Sequence, residues 1–136
     1  MAFYEWSDRL SVKIPSIDRQ HKVLIGLINE LHDVIEAGEE TSSSMRAILG
    51  KLRNYTRIHF IYEELIFKRL DYPEMEQHFA AHKNLVDNVE LLYEKVKMGE
   101  NVLPENLMDF LKNWLNHHIL KEDMAYSAFL IENGIK

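Results

Sequence analysis

Apolar residues recur along this chain in alternating steps of three and four, the spacing of one face of an α-helix. The first such series is Ile14, Ile17, His21, Leu24, Ile28, Leu31 and Ile35, with a histidine where an aliphatic residue would be expected. A second runs Ile48, Leu52, Tyr55, His59, Tyr62 and Ile66, and a third Met75, His78, His82, Leu85, Val89, Leu92 and Val96. The fourth is Leu107, Leu111, Trp114 and His118. Breaks fall between them. Gly38 is placed to end the first helix, and the polar run Glu39 to Ser44 is a loop that caps the second. Pro73 stands at a first helical position, and Asn101 to Pro104 restarts the chain after Gly99. The pattern predicts helices over about 16–37, 43–69, 74–98 and 104–120, with a short one over 123–132. Four seams joined by short loops describe an all-α, up-down-up-down antiparallel four-helix bundle, read as a single domain over 1–136.

Composition narrows the partners. With 46% hydrophobic and 28% charged residues the chain is an ordinary folded domain, not a disordered one. A net charge of -6 without a Lys/Arg run gives neither nucleic acid nor an anionic membrane an electrostatic footing. No apolar stretch is long enough to span a bilayer and MAFYEWSDRL has no signal-peptide pattern, so the expected location is the cytoplasm. The absence of cysteine removes disulfides, thiolate metal sites and cysteine nucleophiles together.

Histidine is the residue in excess. Of seven histidines, five (His21, His59, His78, His82 and His118) fall on the seams and face the core. One buried imidazole is more often a hydrogen-bonded core residue than a ligand; five in one small bundle are costly unless something binds them. In an antiparallel bundle the start of the first helix, the end of the second, the start of the third and the end of the fourth meet. At about 1.5 Å per residue the candidates fall roughly 6 to 16 Å from that end, in one layer. His59-x-x-x-Glu63 and His78-x-x-x-His82 each place two donors one turn apart on one face. Asp123 follows His118 by five residues, a step that one α-helical face does not favour. It is expected to swing in where the fourth helix breaks, or else simply to cap the last segment.

Five imidazoles and two carboxylates exceed one ion and suit two. If both ions are six-coordinate and both carboxylates bridge, twelve positions are needed. Histidine fills five, the carboxylates four and one bridging oxide or hydroxide two, which leaves one open to an outside ligand. Such donors suit iron, zinc, copper or manganese alike.

On these residues the chain resembles the single-domain bacterial hemerythrins over nearly its whole length. The resemblance is carried by Ile17-Asp18-Arg19-Gln20-His21, His59-Phe60-Ile61-Tyr62-Glu63-Glu64, Tyr72-Pro73 with His78 and His82, and Trp114-Leu115-Asn116-His117-His118-Ile119 followed by Asp123. It implies two oxide- or hydroxide-bridged non-haem irons, one held by His78, His82 and His118, the other by His21 and His59, with Glu63 and Asp123 bridging. It also implies reversible dioxygen binding at the open position on the His21/His59 side, bound oxygen being held as hydroperoxide and released by reversal. Small anions are the further ligands it implies for the ferric site. Leu24, Phe60, Trp114, Leu115 and Ile119 match the family's apolar oxygen pocket, their plain reading being core packing; Trp6 is a candidate to close the end. Carriage, storage, delivery and sensing of oxygen all fit this reading. A di-iron redox enzyme acting on peroxide or nitric oxide is the alternative, and a metal-buffering bundle the third.

Other polar residues read as bystanders. His117 is turned about 100° from His118, His32 lies about three turns beyond His21, and Glu64 is off the seam and expected in solvent. Tyr55 and Tyr62 are read as packing, with a redox role for Tyr62 as the lesser reading. Val12-Lys13-Ile14-Pro15 lacks a glycine that many members of that family carry there, which bears on the loop alone.

Overall fold

A computed structural model of the chain describes residues 3–38, 42–98 and 104–136. The loop read at Glu39 to Ser44 and the restart at Asn101 to Pro104 fall partly outside these residues. Four long helices, α1 (Pro15–Glu36), α2 (Ser42–Leu70), α3 (Met75–Lys97) and α4 (Pro104–His117), form the antiparallel bundle. Helix α1 packs on α2 and α4, and α2 on α3. No described helix is long and apolar enough to cross a membrane.

The ends follow local chemistry. Pro15 opens α1 from its first turn, where its missing N–H is not needed. Gly38, at φ 72°, takes the left-handed turn beyond α1, its N–H donating to the Ile35 carbonyl. Asp71 does the same after α2 at φ 54°, and the Tyr72 N–H reaches back to the Phe67 carbonyl at 3.0 Å. Pro73 departs from expectation: it lies in the turn, and α3 begins two residues later at Met75. Buried Tyr72 anchors that turn, and the chain needs Pro73 and Glu74 to swing round it. Lys13 has φ 64°, a conformation that glycine adopts without cost, in the stretch where the resemblance called for one.

The largest departure is at the C-terminus. The fourth helix does not break before Asp123. It widens into a π-helix over His118–Asp123 and continues as α5 (Met124–Glu132). A π turn bonds residue i+5 to i, as the Met124 N–H does to the Ile119 carbonyl. The five-residue step from His118 to Asp123 thereby becomes one turn, and both side chains are buried.

The buried apolar residues form two clusters. The larger fills the bundle body with residues such as Leu24, Ile28, Leu49, Leu52, Val89, Leu111 and Leu115. The smaller joins Val12, Ile14 and Ile17 to Ile66, Phe67 and Tyr72 and to Tyr126 and Leu130 of α5. Trp6, the candidate for closing the end, packs against the body cluster, with Lys22 over its ring, and the smaller cluster covers the end beyond the layer.

Candidate metal centre

Between the two clusters lies a polar layer. Helix α1 contributes His21, α2 His59 and Glu63, α3 His78 and His82, and the π segment His118 and Asp123. All seven are buried, the most exposed being His78 at 6%. The donors converge closely. His21 Nε2 lies 2.7 Å from Asp123 Oδ2 and 3.2 Å from His59 Nε2. His78 Nε2 is 3.3 Å from Asp123 Oδ1, and His118 Nε2 3.0 Å from Asp123 Oδ2. Glu63 Oε1 stands 3.2 Å from the Nε2 atoms of both His59 and His82.

Outer partners turn the rings inward. His59 Nδ1 meets Gln20 Oε1 at 2.7 Å, His82 Nδ1 meets Glu64 Oε2 at 2.8 Å, and His118 Nδ1 meets Glu122 Oε2 at 3.2 Å. With Nδ1–H donating outward, His59 and His82 turn an Nε2 lone pair to the centre, the form that a metal ligand requires, and His118 does so once it gives up the proton it holds beside Asp123. Glu64 is thus half-buried and bonded to a layer histidine rather than left in solvent, because α3 brings His82 alongside it. The Tyr126 phenol donates to Glu63 Oε2 from α5.

The residues fit a metal. Glu63 Oε1, Asp123 Oδ1 and the Nε2 atoms of His78 and His82 are buried without a hydrogen-bond partner. Such orphans are expensive in a folded core, and here they share one small volume. The donors form two groups, each within 4.8 Å throughout: His21, His59, Glu63, His118 and Asp123, and Glu63, His78, His82 and Asp123. Only the two carboxylates belong to both. His118 falls with His21 and His59 in this grouping, whereas the resemblance places it with His78 and His82. Its ring lies between, 5.5 Å from that of His82 and 5.9 Å from that of His59.

Electrostatics show what metal must displace. Burial and the Asp123 charge raise the Glu63 carboxyl above its ordinary range. Burial also opposes ionisation of Asp123, but the His118 charge and hydrogen bonds from His118 and His21 outweigh it and hold that carboxyl well below normal. Burial opposes charge on His118, yet Asp123, Glu122 and Glu63 push it up to about 10. Burial, with the charges of His118 and His78, pushes His82 down to about 4. A metal-free layer therefore keeps a proton on His118 beside Asp123, and an incoming cation must release it.

Of the apolar candidates, Leu24, Phe60, Trp114, Leu115 and Ile119 are all buried in the body cluster. Phe60 lies flat on His82, ring centroids 3.8 Å apart, and 5.6 Å from His59. His117 is exposed, and half-buried His32 stacks on Phe3 at 4.5 Å. Tyr62 donates to Ser16 Oγ at 2.9 Å. Four residues that bond to the layer have no assigned role in the sequence reading: Gln20, Glu64, Glu122 and Tyr126. Only Glu122 carried a signal, four residues beyond His118; the others act across helix pairs that no local spacing reveals.

Fold and site together define a helical bundle with a buried, histidine-rich layer able to hold metal. The family model of the hemerythrin HHE cation binding domain matches residues 12–130, and the chain belongs to the hemerythrin family. A bacteriohemerythrin of Pseudomonas aeruginosa (strain UCBPP-PA14) is 32% identical over 93% of this chain and 80% of its own length. The bacteriohemerythrin of Methylococcus capsulatus is 29% identical over 96% of this chain and 98% of its own. A crystal structure of wild-type hemerythrin matches with a TM-score of 0.85 at 29% identity, covering 93% of this chain and 97% of that one.

Proposed function

We propose that this chain binds dioxygen reversibly at two non-haem irons held by His21, His59, Glu63, His78, His82, His118 and Asp123. The carrying observation is that two groups of buried donors share Glu63 and Asp123 and nothing else. That is the arrangement two bridging carboxylates would make. Two ferrous ions would supply the two electrons that a bound dioxygen takes up and returns.

The chain's own contribution is to hold and to exclude. Five imidazoles, three of them fixed through Nδ1, present neutral nitrogen donors, which favour the ferrous pair over a higher oxidation state. Leu24, Phe60, Trp114, Leu115 and Ile119 form the apolar wall that keeps water and anions from the oxygen position. Such a wall favours release of the whole dioxygen molecule over leakage of a charged reduction product. Dioxygen is then the partner, and turnover of a second substrate is not part of the function.

Protein purified without added metal should carry about two irons per chain. Reduced without air and then exposed to oxygen, it should gain a charge-transfer absorption band that disappears on deoxygenation. Immediate passage to a permanent ferric spectrum would overturn the proposal. Steady peroxide consumption with a reductant would favour an enzyme instead, and zinc in place of iron a metal buffer.

A further inference from the structure

The two shared carboxylates are not equivalent. Asp123 meets imidazoles through both oxygens, with Oδ2 2.7 Å from His21 and Oδ1 3.3 Å from His78. Glu63 divides its work. Its Oε1 faces the imidazoles and makes no hydrogen bond, while Oε2 accepts a hydrogen bond from the Tyr126 phenol.

Tyr126 reaches Glu63 from a different element and is wholly buried. Its ring packs 5.3 Å from Phe67 and 5.4 Å from His78. A phenylalanine would fill that space as well, so packing does not account for the oxygen. A buried hydroxyl is unfavourable unless bonded, and its bond goes to Glu63. The donor is itself clamped. One residue on, Ser127 Oγ donates to the Val12 carbonyl at 2.5 Å, and Leu130 enters the same apolar cluster. A glutamate side chain has three rotatable bonds, and fixing them at the moment of metal binding would weaken that binding.

We propose that Tyr126 is a positioning residue for the metal centre, its phenol holding Glu63 Oε2 so that Oε1 stays turned towards both groups of imidazoles. Helix α5 then serves the site twice, through Asp123 at its start and through Tyr126 one turn on. The inference rests on the reading of the seven residues as holders of two ions.

The test uses the full chain loaded with zinc, which is redox-silent and separates metal holding from oxygen chemistry. Parent and Tyr126→Phe should each take up about two zinc ions. Tyr126→Phe should release them to excess chelator about tenfold faster, with little change in the melting temperature of the metal-free protein. Phe67→Leu loosens the same cluster but keeps the hydroxyl; it should melt lower and release zinc within about twofold of the parent rate. Tyr126→Phe releasing zinc at the parent rate would overturn the inference. So would release that simply follows melting temperature across both variants. A parent that takes up fewer than two zinc ions would sink the two-ion reading and this inference with it. A two-zinc parent with an unchanged Tyr126→Phe would sink only the inference.

Discussion

The two apolar clusters do different things, although they use the same residue types. The body cluster is long, built by four seams that repeat, and would hold the bundle together whatever lay at its end. The smaller cluster is assembled from scattered pieces: the segment before α1 and its first turn, the end of α2, the turn before α3, and α5. It is the part that carries Asp123 and Tyr126 against the polar layer. The body supplies the repeating packing of the bundle, whereas the end cluster decides whether donors from four elements meet. Metal held at the proposed centre would in return tie the end cluster to the body.

That division can be broken in stages. The largest effect should come from Glu63, shared by both donor groups. Glu63→Ala should lose at least about a hundredfold in metal affinity, the upper end of what loss of an outer-shell partner costs, and carry at most one ion per chain on metal analysis. A variant that still held two would deny Glu63 its bridging place.

Next comes a matched pair. Leu49 of the body and Leu130 of the end cluster are both fully buried. Each change to alanine should cost roughly 2–5 kcal/mol in denaturant unfolding of the metal-free protein. Only Leu130→Ala should also hasten metal loss to a chelator. Equal loss from both would erase the distinction between the clusters.

The polar layer itself should set part of the acid sensitivity. His82 is held at about 4 in the folded metal-free protein, below its ordinary 6.5. Between these values the unfolded chain binds the extra proton, so stability falls as pH drops from 6.5 towards 4, by up to about 1.4 kcal/mol per pH unit. His82→Gln, which keeps an N–H for Glu64, should flatten that slope by one proton when unfolding is measured across the window. An unchanged slope would place the sensitivity elsewhere.

The smallest change is in the segment feeding the end cluster. Lys13 at φ 64° is in a conformation that glycine tolerates better. Lys13→Gly should therefore stabilise by up to about 1 kcal/mol, the relief of strain being offset by a more flexible unfolded chain. A loss of stability on melting would show that Lys13 contributes something besides backbone shape.

Some of this was legible without coordinates. Period alone marked the four helices, because a helix that buries one face must repeat its apolar residues at three and four. The heights of His21, His59, His78, His82 and His118 followed from the antiparallel order and a constant rise per residue, and so did the layer they share. Asp123 was legible only as an awkward fifth residue after His118.

What tertiary structure decided is of another kind. A wider helical turn, not a break, brought Asp123 beside His118, and nothing in the residue spacing distinguishes the two. Which nitrogen His59, His82 and His118 turn inward depends on Gln20, Glu64 and Glu122, and the pose of Glu63 on Tyr126. Three of these four contacts join residues on different helices, so they exist only once the helices have packed. Local pattern determines elements and their faces; the direction in which a donor points is a property of its neighbours in space.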